Sequence, residues 1–445
     1  MNGLPKAYAT GCLCAWMVCC AAAASGLDFP GETPGKALAD ISANALTLKN
    51  DTLSARWRLE GGQFRLDAFN AGPHSAENGE AFVIFLTDGR ALKASEFAIK
   101  EPPVVEEIAA RPDARRFAER AAGMRLLATL ASPGNGLAVK WEAELRDGSN
   151  YIIQRVTLSS EEGEVPLDTV RLVELDAPSA KVHGVTQGSP VVAGNLFFAL
   201  QHPMSESTVD GARVTCELRR GQALAKGKSL TLSSVMGATP PGQLRRGFLY
   251  YVERERAHPY HPFLHYNSWY DIAWGDRKFD EAQSVAAIEV FCRELTEKRG
   301  VTMDSFVFDD GWDDNATLWQ FHDGFPTGFT PLLEAAQGCD SALGVWLSPF
   351  GGYGEARRQR LEYGAAQGFE INRNGFSLAG PKYYERFHGI CAEMITKYGV
   401  NFFKFDGMGP GNNKTGGEEF LEDIEALMRL AGELRELEPN LYVSA

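Results

Sequence analysis

Asn401-Phe402-Phe403-Lys404-Phe405-Asp406-Gly407 is the stretch on which the reading of this chain turns. It lies between helical patterns at residues 382–398 and 417–437, carries three phenylalanines, and closes on a carboxylate followed at once by glycine. A short apolar run between helices reads as a parallel strand covered on both faces. Such a strand tolerates Lys404 and Asp406 only where they pair or meet a polar ligand at its carboxyl end, because burying either charge alone costs several kcal/mol.

Outward from this strand, the chain beyond Pro262 alternates short apolar runs with amphipathic helices. Strands are predicted at 263–269, 305–309, 343–347, 401–406 and 441–444. A helix over 280–298 places Ala282, Val285, Ile288, Cys292 and Leu295 on one face, with Gly300 just past its end. The next clear helix starts at Pro381 and shows Phe387, Ile390, Met394 and Tyr398; the last shows Phe420, Ile424, Leu427, Ala431 and Leu434. Strand and helix in alternation predict parallel βα units. Polar and aromatic residues gather where these strands end: Asn267 and Trp269, then Asp309-Asp310-Gly311-Trp312, then Trp346, then Lys404 and Asp406. In a (β/α)8 barrel that end is where chemistry is assembled. The connection over 348–380 is long enough for its own helix and an Asn374-Gly375 turn, and reads as a substrate-cleft insertion.

Before Pro262 the period is different. Val139, Trp141, Ala143 and Leu145 alternate with Lys140, Glu142, Glu144 and Arg146, and Asp147-Gly148 turns the chain into the next strand at 151–159. That is the pattern of an antiparallel hairpin with one buried face. Similar runs at 53–60, 63–70, 81–86 and 124–130 predict a large β-sandwich. Thr239-Pro240-Pro241-Gly242 marks a boundary, and 243–255 reads as a linker helix. The expected organisation is a signal peptide (1–26), a β-sandwich (27–239), a helical linker (240–262) and a partial (β/α)8 TIM barrel of about five strands (263–445).

With 445 residues and 44% hydrophobic content the chain can bury more than one core. A net charge of −14, with no basic run interleaved with aromatics, argues against a nucleic-acid partner and for an uncharged or small polar substrate. Lys6, a short apolar core over 12–24 and the small residues Ala22, Ala23, Ala24 and Ser25 resemble a secretory signal too short to span a bilayer. Export to a periplasm or the medium is expected, with no membrane span. Cys12, Cys14, Cys19 and Cys20 leave with that segment; of Cys216, Cys292, Cys339 and Cys391, which form no C-x-x-C, Cys292 and Cys391 read as buried thiols on helix faces. His258, His261 and His265 lack a carboxylate or cysteine to complete a metal set and read as rim histidines. Gly407–Thr415 fails as a phosphate loop because Asn413, not glycine, precedes Lys414, and Gly352-Tyr353-Gly354 lacks the third glycine of a dinucleotide fingerprint. No metal or other cofactor is called for.

Three carboxylates, Asp309, Asp310 and Asp406, thus converge with Lys404 on one strand-end mouth beside indole rings. Aromatic faces stack on sugar C–H faces while acids and a lysine hydrogen-bond hydroxyls, so the pattern points to a glycoside site. The competing reading is a set of loop carboxylates capping helices. From about 263 to 445 the chain resembles the clan D retaining α-glycosidases, the α-galactosidases of glycoside hydrolase families 27 and 36; the leading β domain resembles family 36 in particular. Asp309-Asp310-Gly311-Trp312 is similar to the family's second-strand motif and Lys404-Phe405-Asp406 to its fourth-strand nucleophile motif.

The resemblance implies a retaining, exo-acting α-galactosidase acting on an oligosaccharide or glycoconjugate. In it Asp406 is the nucleophile, Lys404 contacts ring hydroxyls, Asp309 and Asp310 grip the 4- and 6-hydroxyls of galactose, and Trp269, Trp312 and Trp346 belong to the sugar site. Lys404, close to Asp406, is expected to help keep it ionised near neutral pH. Leu347-Ser348-Pro349-Phe350 and Gly407-Met408-Gly409 depart from the commonest family 36 text. The resemblance puts the acid/base aspartate on a sixth strand, and the count reaches five at Ala445, so the expectation is a truncated piece without the acid/base and without appreciable turnover alone. The alternatives are a noncatalytic carbohydrate-binding protein and an α-N-acetylgalactosaminidase or transglycosidase of the same clan. Oligomeric state is not legible in the sequence.

Overall fold

A computed structural model describes residues 28–59, 63–132, 136–275, 277–407 and 423–445. The expected signal segment, the glycine-rich stretch from Met408 to Thr415, and Phe420 lie outside the described residues.

The first half is built from a ten-stranded and an eight-stranded antiparallel sheet. Strands Leu137–Arg146 and Tyr151–Ser160 pair antiparallel, with Gly148 supplying the positive φ of the turn between them. Val139, Trp141, Ala143 and Leu145 are fully buried. Trp141 meets Trp57 of the other sheet edge-to-face at 4.9 Å, so the inner faces of both sheets share one core. One outward residue departs from the period-two expectation: Glu144 is buried, accepting from Arg125, Arg146 and Arg155. Arg146 also donates to the Ala121 carbonyl just past the turn Phe117–Arg120, a partner the alternation of a single strand does not reveal.

Helix α1 (Leu244–Glu255) packs Phe248 and Tyr251 on Phe197, on the outer face of the eight-stranded sheet. The chain then enters a five-stranded sheet whose strands run parallel and in sequence order: His265–Asn267, Ser305–Phe308, Ala342–Leu347, Val400–Phe405 and Tyr442–Ser444. The predicted strands are all present. Among the described residues the sheet is open, however: its first and fifth strands do not pair and make no closed barrel.

Between the strands lie α2 (Glu281–Phe291), α3 (Thr330–Gln337), α4 (Gly354–Gln367), α5 (Pro381–Tyr398) and α6 (Asp423–Leu437). Asp280 caps α2, its carboxylate accepting from the Gln283 amide while the Gln283 side chain accepts from the Asp280 amide. The predicted helix over 280–298 is α-helical only to Phe291 and continues as a π-helical stretch, Cys292–Glu297. Helix α3 escaped the sequence reading because, at eight residues, it shows little periodicity. The insertion after the third strand holds α4 and a small hairpin, Ile371–Asn372 with Gly375–Phe376, as expected. Cys292 is not a free thiol: it is disulfide-bonded to Cys339, which the fold brings from the end of α3, while Cys391 is a buried thiol. Among the described residues no helix is long and apolar enough to cross a membrane.

Candidate active site

In the fourth strand the period of two sets Phe403 and Phe405 on one face and Phe402, Lys404 and Asp406 on the other. Phe405 packs on Phe387 of α5, whereas Phe402 meets Phe263, His265 and Tyr442. Burying each phenylalanine stabilises the strand by roughly 2 kcal/mol, which fixes where Asp406 emerges. The parallel register places Trp346 beside Lys404 and Phe308 beside Val345, so the strand ends lie side by side.

Asp406 is held at four points. Its Oδ2 accepts from Trp346 Nε1 at 3.1 Å, and its Oδ1 from the Tyr353 hydroxyl at 2.8 Å and the Gly407 amide at 2.7 Å. The Lys404 ammonium stands 3.9 Å from Oδ2. Partial burial opposes ionisation of Asp406, but the indole, the amide, the phenol and then the lysine charge outweigh it and hold the carboxyl below its usual range. Lys404 helps as expected, but neutral donors come first, because the ammonium is committed to Asp309 Oδ2 at 2.8 Å.

Asp309 and Asp310 are brought to the same mouth but are almost covered, at 1% and 4% exposure. The Asp309 amide donates to Ser268 Oγ, and Asp309 Oδ1 accepts the Asp310 amide. Asp310 accepts from Arg360 at 3.0 Å and faces Arg277 at 3.5 Å. Burial raises the Asp310 carboxyl, against the pull of Arg360. Gly311 makes this packing possible: at φ 129 it has no side chain where a Cβ would stand 2.3 Å from the Arg277 carbonyl oxygen.

Sequence reasoning missed Arg360, Asp313, Tyr353 and Arg277. Arg360, fully buried on α4, grips Asp313 through two nitrogens and stacks on Trp319 and Trp346. In the sequence it is one of several arginines on a polar helix, and only burial singles it out. The tryptophans divide. Trp269 is partly exposed, with the Arg277 guanidinium 4.9 Å over its ring. Trp346 reaches the site through its N–H, while its ring is buried. Trp312, expected at the sugar site, has no exposure: it donates its N–H to the Trp346 carbonyl, and beyond the turn at Gly311 its ring packs in the core on Phe321 and Phe329.

No family model matches the chain, and no curated protein matches it in sequence. Its fold, however, resembles that of solved glycoside hydrolase family 36 α-galactosidases. The α-galactosidase from Lactobacillus brevis superposes with a TM-score of 0.61 at 14% identity, over 90% of this chain and 70% of that one. The galactosidase domain of the α-galactosidase–sucrose kinase AgaSK gives 0.62 at 12% identity, over 92% and 71%. The family 36 α-galactosidase AgaB from Geobacillus stearothermophilus gives 0.61 at 13%, over 92% and 72%. At such identities the likeness establishes a glycosidase-like fold.

Proposed function

We propose that the protein is a retaining, exo-acting α-glycosidase of the α-galactosidase type, with Asp406 as nucleophile. The observation that carries this reading is the setting of Asp406 at a parallel strand end, ionised mainly by neutral donors and, among the described residues, not locked by an arginine. The fold likeness supports it, and two variants of a family 36 relative, AgaA from Geobacillus stearothermophilus, were solved with raffinose and stachyose. In the first displacement Asp406 attacks the anomeric carbon and the glycosidic oxygen departs with a proton from an acid; in the second, water releases the sugar. Lys404 and Trp269 supply a hydroxyl donor and a stacking face, and Asp309 and Asp310 accept from hydroxyls; the five parallel strands are read as part of a (β/α)8 barrel following a sandwich domain.

A second reading has its own support. At the mouth, Asp309 is paired with Lys404, and Asp310 and Asp313 with Arg360, so no other described carboxyl group there stands free to act as the acid. That favours a noncatalytic carbohydrate-binding protein. A mechanism-based α-galactosyl inactivator separates the two: covalent label on Asp406 is expected, and reversible sugar binding without any label would sink the enzymatic reading. A parallel panel with N-acetylgalactosaminides and sugar acceptors tells a galactosidase from an α-N-acetylgalactosaminidase or a transglycosidase. We also propose export, supported by the Cys292–Cys339 disulfide, since such bonds persist in oxidising compartments. N-terminal sequencing of the protein made in its native host should begin near residue 27, and an intact N-terminus in the cytosol would refute it.

A further inference from the structure

The groups around Asp406 divide unequally between its two oxygens. Oδ1 accepts from the Tyr353 hydroxyl and the Gly407 amide, which engages both of its lone pairs. Oδ2 accepts from Trp346 Nε1, and Lys404 at 3.9 Å is beyond hydrogen-bond range, so among the described residues one lone pair of Oδ2 is left to bond carbon. Tyr353 is set for its contact. It is half-exposed at the start of α4, between Gly351, Gly352 and Gly354, all at positive φ. Gly407 is left-handed as well, and a Cβ there would stand 3.6 Å from the phenol ring and 2.9 Å from Ser348 Oγ. The ring lies against the backbone beside Asp406.

We propose that Asp406 attacks through Oδ2 while Tyr353, together with the Gly407 amide, holds Oδ1 and speeds release of the sugar from the glycosyl-enzyme. This rests on the double displacement proposed above. In the first step the Oδ2–C1 bond forms and the bond from C1 to the leaving oxygen breaks, its electron pair departing with that oxygen. The carboxylate becomes an ester, and Oδ1, now its carbonyl oxygen, loses negative charge. In the second step the water oxygen bonds to C1, the C1–Oδ2 pair returns to the carboxylate, and a water proton passes to solvent or base. Oδ1 regains charge as this happens, and a donor aimed at it strengthens with that charge. Tyr353 gives up no proton at any point. The same bond stabilises the resting carboxylate more than the half-formed ester, so it does not assist the first step.

The test uses the full chain, a ring-fluorinated α-galactosyl fluoride as probe and azide as acceptor, so that neither step calls on a protein acid or base. Wild type and Tyr353→Phe are labelled, mass spectrometry locates the sugar, and loss of label on adding azide gives the second rate. Labelling of both at Asp406 is expected at rates within about threefold, with the variant shedding its label roughly 10- to 100-fold more slowly at an unchanged melting temperature. Equal shedding rates would overturn the role of Tyr353 and leave Asp406 as nucleophile. A variant that labels much more slowly yet sheds normally would also overturn it, since the phenol would then serve the first step. Absence of label on Asp406 in the wild type would overturn the double displacement and this inference with it.

Discussion

Glu144 in the antiparallel half and Asp406 in the parallel half are both held ionised, by opposite means. Glu144 is buried among Arg125, Arg146 and Arg155. Burial pushes its carboxyl up, but these guanidinium groups bring it down to about 2 from an ordinary 4.5. Asp406 is more exposed and is surrounded by an indole, an amide and a phenol, with its nearest cation 3.9 Å away. A carboxylate clasped by arginines is a structural anchor: its lone pairs are spoken for, and moving it strands several charges. Neutral donors lower the carboxyl while leaving a lone pair free, which is what a group that must bond carbon requires.

Removing Asp406 should give the largest effect. Asp406→Ala is expected to lower turnover of an activated aryl α-galactoside by on the order of 10³-fold or more, with little change in melting temperature. An active variant would erase the distinction between the two carboxylates. The Arg360 cluster extends the structural side of the comparison into the candidate site itself. Arg360→Met leaves Asp313 buried without its cation and Asp310 with only Arg277 at 3.5 Å, and denaturant unfolding should show a loss of about 3–5 kcal/mol. A loss below about 1 kcal/mol would mean that Arg360 behaves like a surface ion pair.

Acid should act on Glu144 in a defined direction. Its carboxyl is depressed in the folded chain, so its stabilisation is complete above about 4.5 and is lost as the pH falls toward about 2. That shift corresponds to about 3 kcal/mol, and in Glu144→Gln this part of the acid destabilisation between pH 5 and 2 should be missing when melts are recorded across the range. The smallest effect concerns the indole. Trp346→Phe removes the donor to Asp406 Oδ2, so the acidic limb of the rate profile, where activity is lost as Asp406 takes up a proton, should move to higher pH. Lys404 and Tyr353 are the other titrating groups facing this carboxylate, and Asp309 lies behind Lys404. An unmoved limb would assign the shift to them.

Much of this molecule can be read from local pattern. Period-two runs gave the sandwich strands, and 3.6-residue periodicity gave α2, α5 and the described part of the last helix, because one buried face leaves a repeat in the sequence. Asp309, Asp310, Lys404 and Asp406 were found as charges that apolar strands deliver to a common end, and the structure places them together. The misses share one cause. Trp312 was expected at the sugar site from the Asp-Asp-Gly-Trp motif it closes, whereas its ring is buried in the core. Arg360 and Tyr353 looked like ordinary residues of an insertion, and Cys292 like a buried thiol, because their partners lie far away along the chain.

The sequence by itself determined which elements form, which faces they bury, and that carboxylates and a lysine meet at one strand-end mouth; these follow from side-chain periodicity and from the cost of burying charge. Tertiary structure alone decided which charge pairs with which. Lys404 has Asp309 and Asp406 both within reach and takes the nearer, at 2.8 Å against 3.9 Å. That leaves Asp406 to an indole, an amide and a phenol carried in by a distant loop. A choice between two carboxylates is settled by about an ångström of geometry, and strand register and loop path set that ångström only once the chain has folded.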